Sequence, residues 1–219
     1  MIITQQKELN DILRIIKNSE KIFLVGCNLC ATVCKTGGEK QLLEIKEKLE
    51  KNRKIIVGSI DLDPACNILA IKRFYRKFKL QLDNADAILS FACGAGTQSL
   101  MEIIVDKEIF PGNNTLFQGE ITESSLSKMR FEQKCSLCGN CILDVTGDIC
   151  PNTRCAKSLL NGPCGGNKNG KCEVNSELDC VWVKIYERLK KLNRLDEMKI
   201  FRFPKDNKNK NIPQHHIIK

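Results

Sequence analysis

Cysteine spacing limits what this chain can fold into more than any other feature. Its 13 cysteines form two tight groups and a few well-placed singles. Cys27, Cys30 and Cys34 make the first group. Cys135, Cys138 and Cys141 open the second, followed by Cys150, Cys155, Cys164, Cys172 and Cys180, while Cys66 and Cys93 stand apart. Thiols two or three residues apart are too close for relaxed disulfides with one another, but they can wrap a single metal centre. The two histidines, His215 and His216, both lie in the terminal tail, so a metal in the main body would be held mainly by sulfur. All-thiolate ligation narrows the choice to zinc or iron–sulfur clusters.

A chain of 219 residues has room for one medium domain, or for a modest domain beside a small metal-stapled one. The apolar fraction of 42% supports a core, and with only 5% aromatics that core is built from Ile, Leu and Val. No apolar stretch near the N-terminus suits a signal peptide, and no run approaches the roughly 18–20 residues of a membrane span. The expectation is a cytoplasmic chain without a membrane partner, in which reduced thiols serve as ligands. Net charge is +9, gathered partly in Lys72, Arg73, Arg76, Lys77 and Lys79 and partly after Ile200. No nucleic-acid-binding module accompanies it. The basic run reads as a solvated face or as a dock for an acidic partner such as a small electron carrier.

The first half alternates between helix and strand patterns. Leu9, Ile12, Leu13 and Ile16 predict a helix over residues 4–18, and Lys21–Gly26 predicts a buried parallel strand. Leu42, Ile45 and Leu49 mark a second helix, and Lys54–Ile60 a second strand. A helix opened by Pro64 follows, then a strand at Ala87–Ala92, a helix around Leu100, Ile103 and Ile104, and a fourth strand at Asn114–Gln118. This is an α/β pattern, a small Rossmann-like or flavodoxin-like parallel sheet. It brings Cys27, Cys66 and Cys93 to strand ends along one edge, where such folds place their sites. Cys27, Cys30 and Cys34 supply three thiolates, and Cys66 or Cys93 supplies a fourth unless they are small buried hydrophobes. Gly94-x-Gly96 lacks the third glycine of a dinucleotide fingerprint and reads equally as a tight turn, so no nucleotide is assigned. Gly37-Gly38 is either a flexible start to the next helix or room for a bulky cluster.

From Lys134 to Cys180 the chain is rich in Gly, Asn, Pro and Cys and poor in apolar periodicity. Such a stretch needs ligand bonds to order its backbone. Eight cysteines suit two four-thiolate centres. The Cys-x2-Cys-x2-Cys opening is that of a bacterial ferredoxin motif, but its Cys-Pro arrives late, at Cys150-Pro151, which leaves the ligand pairing open. Cys150-x4-Cys155 also suits a zinc hook. Gly165-x4-Gly170-Lys171 imitates a phosphate loop, yet Cys172 stands where a Ser or Thr belongs. Leu178, Trp182, Ile185, Leu189 and Leu192 predict a long helix through about Met198, with Cys180 in its first turn. The expected organisation is an α/β domain over 1–125, a cysteine-rich module over 126–200, and a basic flexible tail over 201–219.

The stretch KCSLCGNCILDVTGDICPNTRCAKSLLNGPCGGNKNGKCEVNSELDCVW resembles the cysteine-rich C-terminal domain of methylenetetrahydrofolate reductase. VGCNLCATVCKTGGEK resembles the N-terminal motif of the small subunit of the acetogen-type enzyme. The resemblance spans about Lys21 to Leu195. It implies a small iron–sulfur subunit, in a family also described as zinc-binding, that pairs with a larger flavin-containing barrel subunit. The implied role is electron delivery to that flavin in the methyl branch of the acetyl-CoA pathway. The implied cofactors are two or three [4Fe–4S] clusters, with zinc at one four-cysteine site as an alternative. The matching positions are Cys27, Cys30 and Cys34, and Cys135 through Cys180. The chain is too short for a barrel beside another domain, so it is expected to hold neither flavin nor folate alone and to carry no catalytic residue. Its electron donor would be an acidic protein such as ferredoxin, or a nicotinamide-oxidising module. A zinc-stapled scaffold subunit, or a carrier for another flavin or corrinoid partner, are the competing readings.

Overall fold

The computed structural model describes residues 1–124, 129–207, 212–214 and 216–218. It divides into two compact units, Met1–Phe117 and Gln118–Lys219. His215 of the terminal pair and residues 208–211 of the expected tail lie outside the described residues.

The first unit opens with strand β1 (Ile2–Gln6) and helix α1 (Leu9–Ile15) instead of one helix over 4–18. Ile2, Ile3 and Thr4 are β-branched, and β1 pairs with a later strand, β6 (Asn113–Gln118), in a two-stranded sheet. Thr4 buries its hydroxyl 2.6 Å from that of Thr36, so tertiary contacts override the helical pattern at this end. Ile12 and Ile16 keep the predicted inward face.

Four parallel strands make the main sheet: β2 (Lys21–Cys27), β3 (Ile55–Leu62), β4 (Ala87–Ser90) and β5 (Glu108–Pro111), in the order β3-β2-β4-β5. Numbered within the sheet this is 2-1-3-4, the flavodoxin-like winding. The fourth parallel strand is therefore β5, and the predicted strand at Asn114–Gln118 belongs to β6. The sequence hides β5 because it is short and ends in a proline, which an edge strand tolerates.

Helices cover both faces of the sheet, which is why β2 reads as a continuous apolar run. Ile22 and Leu24 of β2 pack with Leu42, Ile45 and Leu49 of α3 (Glu39–Lys51). Phe23 and Val25 face the other way, against Ile71 and Phe74 of α4 (Ile68–Lys77) and Leu100 of α6 (Gly94–Ile103). Short helices α2 (Cys30–Val33) and α5 (Lys79–Asp83) complete the unit. The Phe23 ring lies 5.5 Å from that of Phe74, in the tilted geometry that aromatic pairs prefer. Asn67, not Pro64, opens α4: its side chain accepts hydrogen bonds from Leu69 N at 2.9 Å and Ala70 N at 3.3 Å. Pro64 sits in the turn before it. Lys72, Arg73, Arg76 and Lys77 occupy the exposed face of α4, opposite Ile71 and Phe74.

The second unit carries an antiparallel pair, β7 (Glu120–Ser124) with β8 (Met129–Glu132), the one-turn helix α7 (Pro151–Arg154) and α8 (Val181–Lys191). The helix predicted from Leu178 to Met198 is shorter at both ends. Leu178 precedes it and is exposed, Cys180 is its N-cap rather than part of its first turn, and a 3₁₀ turn at Leu195–Lys199 follows. Asn193 in the left-handed region separates the two helical pieces. Val181, Trp182, Ile185 and Leu189 form the buried face, joined by Ile149, Leu195 and Met198. Among the described residues no helix is long and apolar enough to cross a membrane.

Asp86 ties the start of β2 in place. Its carboxylate accepts from Glu20 N at 2.8 Å and Lys21 N at 2.7 Å, and these bonds, Lys21 first, hold its pKa below the ordinary 3.8. A carboxyl depressed in the folded state stabilises above its unfolded pKa, and that contribution is lost as pH falls through the folded value. Asp86 is solvent-exposed, so Asp86→Ala should cost no more than about 1 kcal/mol at neutral pH. Urea midpoints should show wild type and variant converging below pH 3.8. A gap that persists unchanged through acid would contradict this assignment.

Candidate metal centre

All 13 cysteines are free thiols. In the first unit, sheet topology sorts them. Cys27 ends β2, where its N–H donates to Gly37 O at 2.9 Å. Cys66 lies between β3 and α4, and Cys93 is the N-cap of α6, three residues after β4. Gly96 makes the last approach possible. A Cβ there would stand 3.0 Å from Ala92 Cβ and 3.1 Å from Ala65 Cβ, so the residues preceding Cys93 and Cys66 close on one glycine. Gly94-x-Gly96 is thus a packing turn at the start of α6. Gly94 N donates to the Thr115 hydroxyl at 2.7 Å.

Burial pushes the Cys66 thiol above its ordinary pKa, and the neighbouring Cys93 and Cys27, then Cys30, raise it further. Each of these three sulfurs therefore lies within electrostatic reach of Cys66, which is itself exposed. Cys34 is absent from that set. Its thiol faces the backbone of β1 and donates to Ile2 O at 3.7 Å, while Ile2 N donates to Cys30 Sγ at 3.5 Å. Gly37-Gly38 provides neither a flexible start nor open room. A Cβ on Gly37 would meet Phe91 O at 2.1 Å, and one on Gly26 would meet Gly37 O at 2.2 Å. This loop threads between two strand ends with no side chain in the way.

In the second unit, one cavity is lined by Cys155, Cys164, Cys172 and Cys180, together with Arg154, Lys157, Glu173 and Trp182. A hairpin carries two of these cysteines: Cys172 N donates to Leu178 O at 2.9 Å, and Cys180 N to Gly170 O at 2.7 Å. Ion pairs from Lys171 and Lys184 to Asp179, each 2.6 Å, brace it and hold the Asp179 pKa down at about 2. Lys171 is thereby engaged with a carboxylate, and its glycine-rich loop closes on Lys168 and the hairpin instead of forming a phosphate cradle. The Cys164 thiol donates to Glu173 at 3.2 Å, and Lys157 pairs with the same carboxylate at 2.7 Å.

Cys135, Cys138 and Cys141 share a loop whose turns use Leu137 and Gly139 at positive φ. Leu137 N donates to Cys135 Sγ at 3.3 Å. Hydrogen bonding to the Asn140 backbone, and then the Lys205 cation, hold the Cys138 thiol below its usual pKa. Asn152 Nδ2 donates to the Ser136 hydroxyl at 3.1 Å, which moors this loop to α7. Cys150 is the N-cap of α7, its thiol donating to the Thr153 hydroxyl at 3.7 Å, and Cys155 is the C-cap.

Among the described residues, no three His, Cys, Asp or Glu side chains are drawn together as a formed metal-binding set. The thiols are grouped but spread. A zinc ion with 2.3 Å bonds would hold four sulfurs about 3.8 Å from one another, a spacing at which four thiolates without a cation between them would repel. The donor chemistry nonetheless fits a sulfur-loving centre, since each of the three groups is made of thiols and two have cations beside them. Cys66 is exposed and Cys93 half-buried, so neither is the small buried hydrophobe that spacing left as an alternative. The parts that spacing missed are Ile2, whose backbone meets two sulfurs, and Lys205, which lies far in sequence from the Cys138 thiol it neighbours.

Residues 110–208 match the family model described as methylene-tetrahydrofolate reductase C terminal, and that span contains all eight cysteines of the second unit. No curated protein and no solved structure matches the chain. Over residues 110–208 the chain is thus similar to the C-terminal region of methylenetetrahydrofolate reductase.

Proposed function

We propose that the chain is the electron-carrying iron–sulfur subunit of a methylenetetrahydrofolate reductase complex, delivering electrons to the flavin of a barrel-type catalytic subunit. The observation that carries this reading is the cavity lined by Cys155, Cys164, Cys172 and Cys180. The other four cysteines of the unit, Cys135, Cys138, Cys141 and Cys150, precede α7 on a stretch moored to it through Asn152 and Ser136. Each set has the four thiols that a [4Fe–4S] cluster takes, and such a cluster, when bound, exchanges single electrons at a potential set by its surroundings. Cys150 and Cys155 are separated by five residue steps, about 7.5 Å along a helix. Two centres held there would be close enough to form a relay.

The protein's own groups suit that task. Arg154 and Lys157 offset negative charge at one set, and Lys205 does so at the other. Leu137 N already points at a sulfur, the kind of hydrogen bond that raises a cluster's potential. The exposed basic face of α4 offers a dock for an acidic donor of the ferredoxin kind. The hydride chemistry would belong to the partner's flavin, with this chain supplying orientation and potential.

Anaerobically purified complex should be brown and contain a barrel-type flavoprotein, and Cys135→Ser or Cys172→Ser should abolish reduction of that flavin by the donor. A colourless, fully active complex that contains zinc and no iron would overturn the reading. Trp182 gives a second readout. It is the sole tryptophan, its indole N–H donates to Leu159 O at 3.1 Å, and it lines the four-cysteine cavity. Loading with iron and sulfide should strongly quench its fluorescence by energy transfer to a visible-absorbing centre, and Cys172→Ser should restore most of the emission. Zinc, a colourless d¹⁰ ion, should leave the emission bright.

A further inference from the structure

In the second unit, the chain beyond α8 is pinned where composition reads a flexible tail. Arg202 N donates to Asn161 Oδ1 at 2.7 Å, and Asn161 Nδ2 donates back to Arg202 O at 2.8 Å. The Arg202 guanidinium donates to Val145 O at 3.0 Å and to Glu197 O at 2.9 Å. Lys205 Nζ donates to Asn140 O, the carbonyl that also receives the Cys138 thiol. Asn140 stands between Cys138 and Cys141 in sequence, and Asn161 between Cys155 and Cys164. Residues 200–205 are thus a strap fastened to two cysteine-bearing loops.

What the strap holds out is apolar. Ile200 is 53% exposed, Phe201 68% and Phe203 82%. Alternate residues of an extended chain point to one side, and the two rings meet edge to face with centroids 5.5 Å apart. Pro204 confines Phe203 to extended backbone. Ordering backbone is costly, and here the polar contacts of Arg202 and Lys205 offset that cost without burying either ring. Pre-organised aromatic side chains are what protein interfaces use as anchors.

We propose that Phe201 and Phe203 are the anchor by which the cysteine-rich unit docks on the flavoprotein subunit, in an apolar pocket with an acidic rim. The identity of that partner rests on the electron-carrier reading above. Charge selects it over a second copy of this chain. Residues 201–219 carry five cations, Arg202, Lys205, Lys208, Lys210 and Lys219, against one acid, Asp206. Two copies meeting here would bring like charges together, whereas an acidic rim complements them. Passing redox encounters use small contacts and permanent complexes more hydrophobic ones, so exposed rings suit the permanent partner better than an electron donor. Docking at the strap sets that partner beside the loops that carry the proposed centres.

The test mixes the anaerobically loaded chain with separately purified flavoprotein subunit and measures Kd, with light scattering on the chain alone. The double variant Phe201→Ser/Phe203→Ser should bind about thirtyfold or more weakly, with iron content and far-UV circular dichroism unchanged. Val105→Ser, at a residue 81% exposed on the first unit, should shift Kd by less than about twofold. Arg202→Gln keeps both rings but frees the strap, and should cost about tenfold. Binding should also weaken as salt rises from about 0.05 to 0.5 M, and salt-independent binding overturns the acidic rim. An unchanged Kd in the double variant overturns the proposal and, where flavin is still reduced, leaves the electron-carrier reading standing. A wild-type dimer that the double variant converts to monomer also overturns it, by giving the rings to a second copy. An active, colourless zinc complex that still needs both rings to assemble does the reverse, removing the electron-carrier reading and keeping the dock. A wild-type chain that binds no flavoprotein sinks both.

Discussion

The first unit depends on one strand, β2, buried from both sides in the interior of a parallel sheet. Ile22 and Leu24 fill one core and Phe23 and Val25 the other, so its register admits no one-residue slip. With β2 fixed, parallel pairing brings the carboxyl ends of β3 and β4 to the edge where β2 ends. Thiols scattered over residues 27–93 become neighbours for that reason alone. The close threading of Gly37 between Gly26 and Phe91 lets the chain turn back at this edge without widening it.

The second unit follows a different constraint. Its apolar content is one face of α8 and a few residues packed against it. Long loops around positive-φ residues such as Gly139, Gly162 and Gly170 carry the remaining cysteines. Backbone of this kind is expensive to order and gains little from burial. Ligation at the proposed centres would supply free energy that such a composition otherwise lacks, as in small metal-stapled domains. The residues that brace the loops, Lys171 and Lys184 on Asp179 and Lys157 on Glu173, are exposed ion pairs, so they set geometry more than they stabilise.

Much of this was legible in the sequence, because the signals were strong and local. The run KIFLVG can be little other than a buried strand, and Leu42, Ile45 and Leu49 fix a helical face. Errors arose where a distant partner decides. Ile2, Ile3 and Thr4 form a strand because β6 lies beside them, and Leu9 onward is helical all the same. Glu108–Pro111 is a strand only because β4 offers it an edge. The cysteine positions were plain from the start, but their grouping was not. Spacing puts Cys34 with Cys27 and Cys30, whereas the fold turns its thiol towards Ile2 and brings Cys93 and Cys27 within electrostatic reach of Cys66. Motif spacing reports which sulfurs are near in sequence, and sheet topology decides which are near in space.

Helix α7 shows how tightly the second unit's two cysteine sets are joined. It is a single turn, too short to be stable by itself, and Pro151 at its start presets the backbone without adding a hydrogen bond. What holds the turn lies at its ends: Asn152 on Ser136 at one, and Cys155 in the cavity wall beside Trp182 at the other. Occupancy of one set would fix α7 and so position the cysteine that α7 offers to the other. Assembly of the two sites would then be cooperative through a shared rigid turn, with no contact between metals required. The same turn that would shorten an electron's path between the proposed centres would also make the two sites fill together.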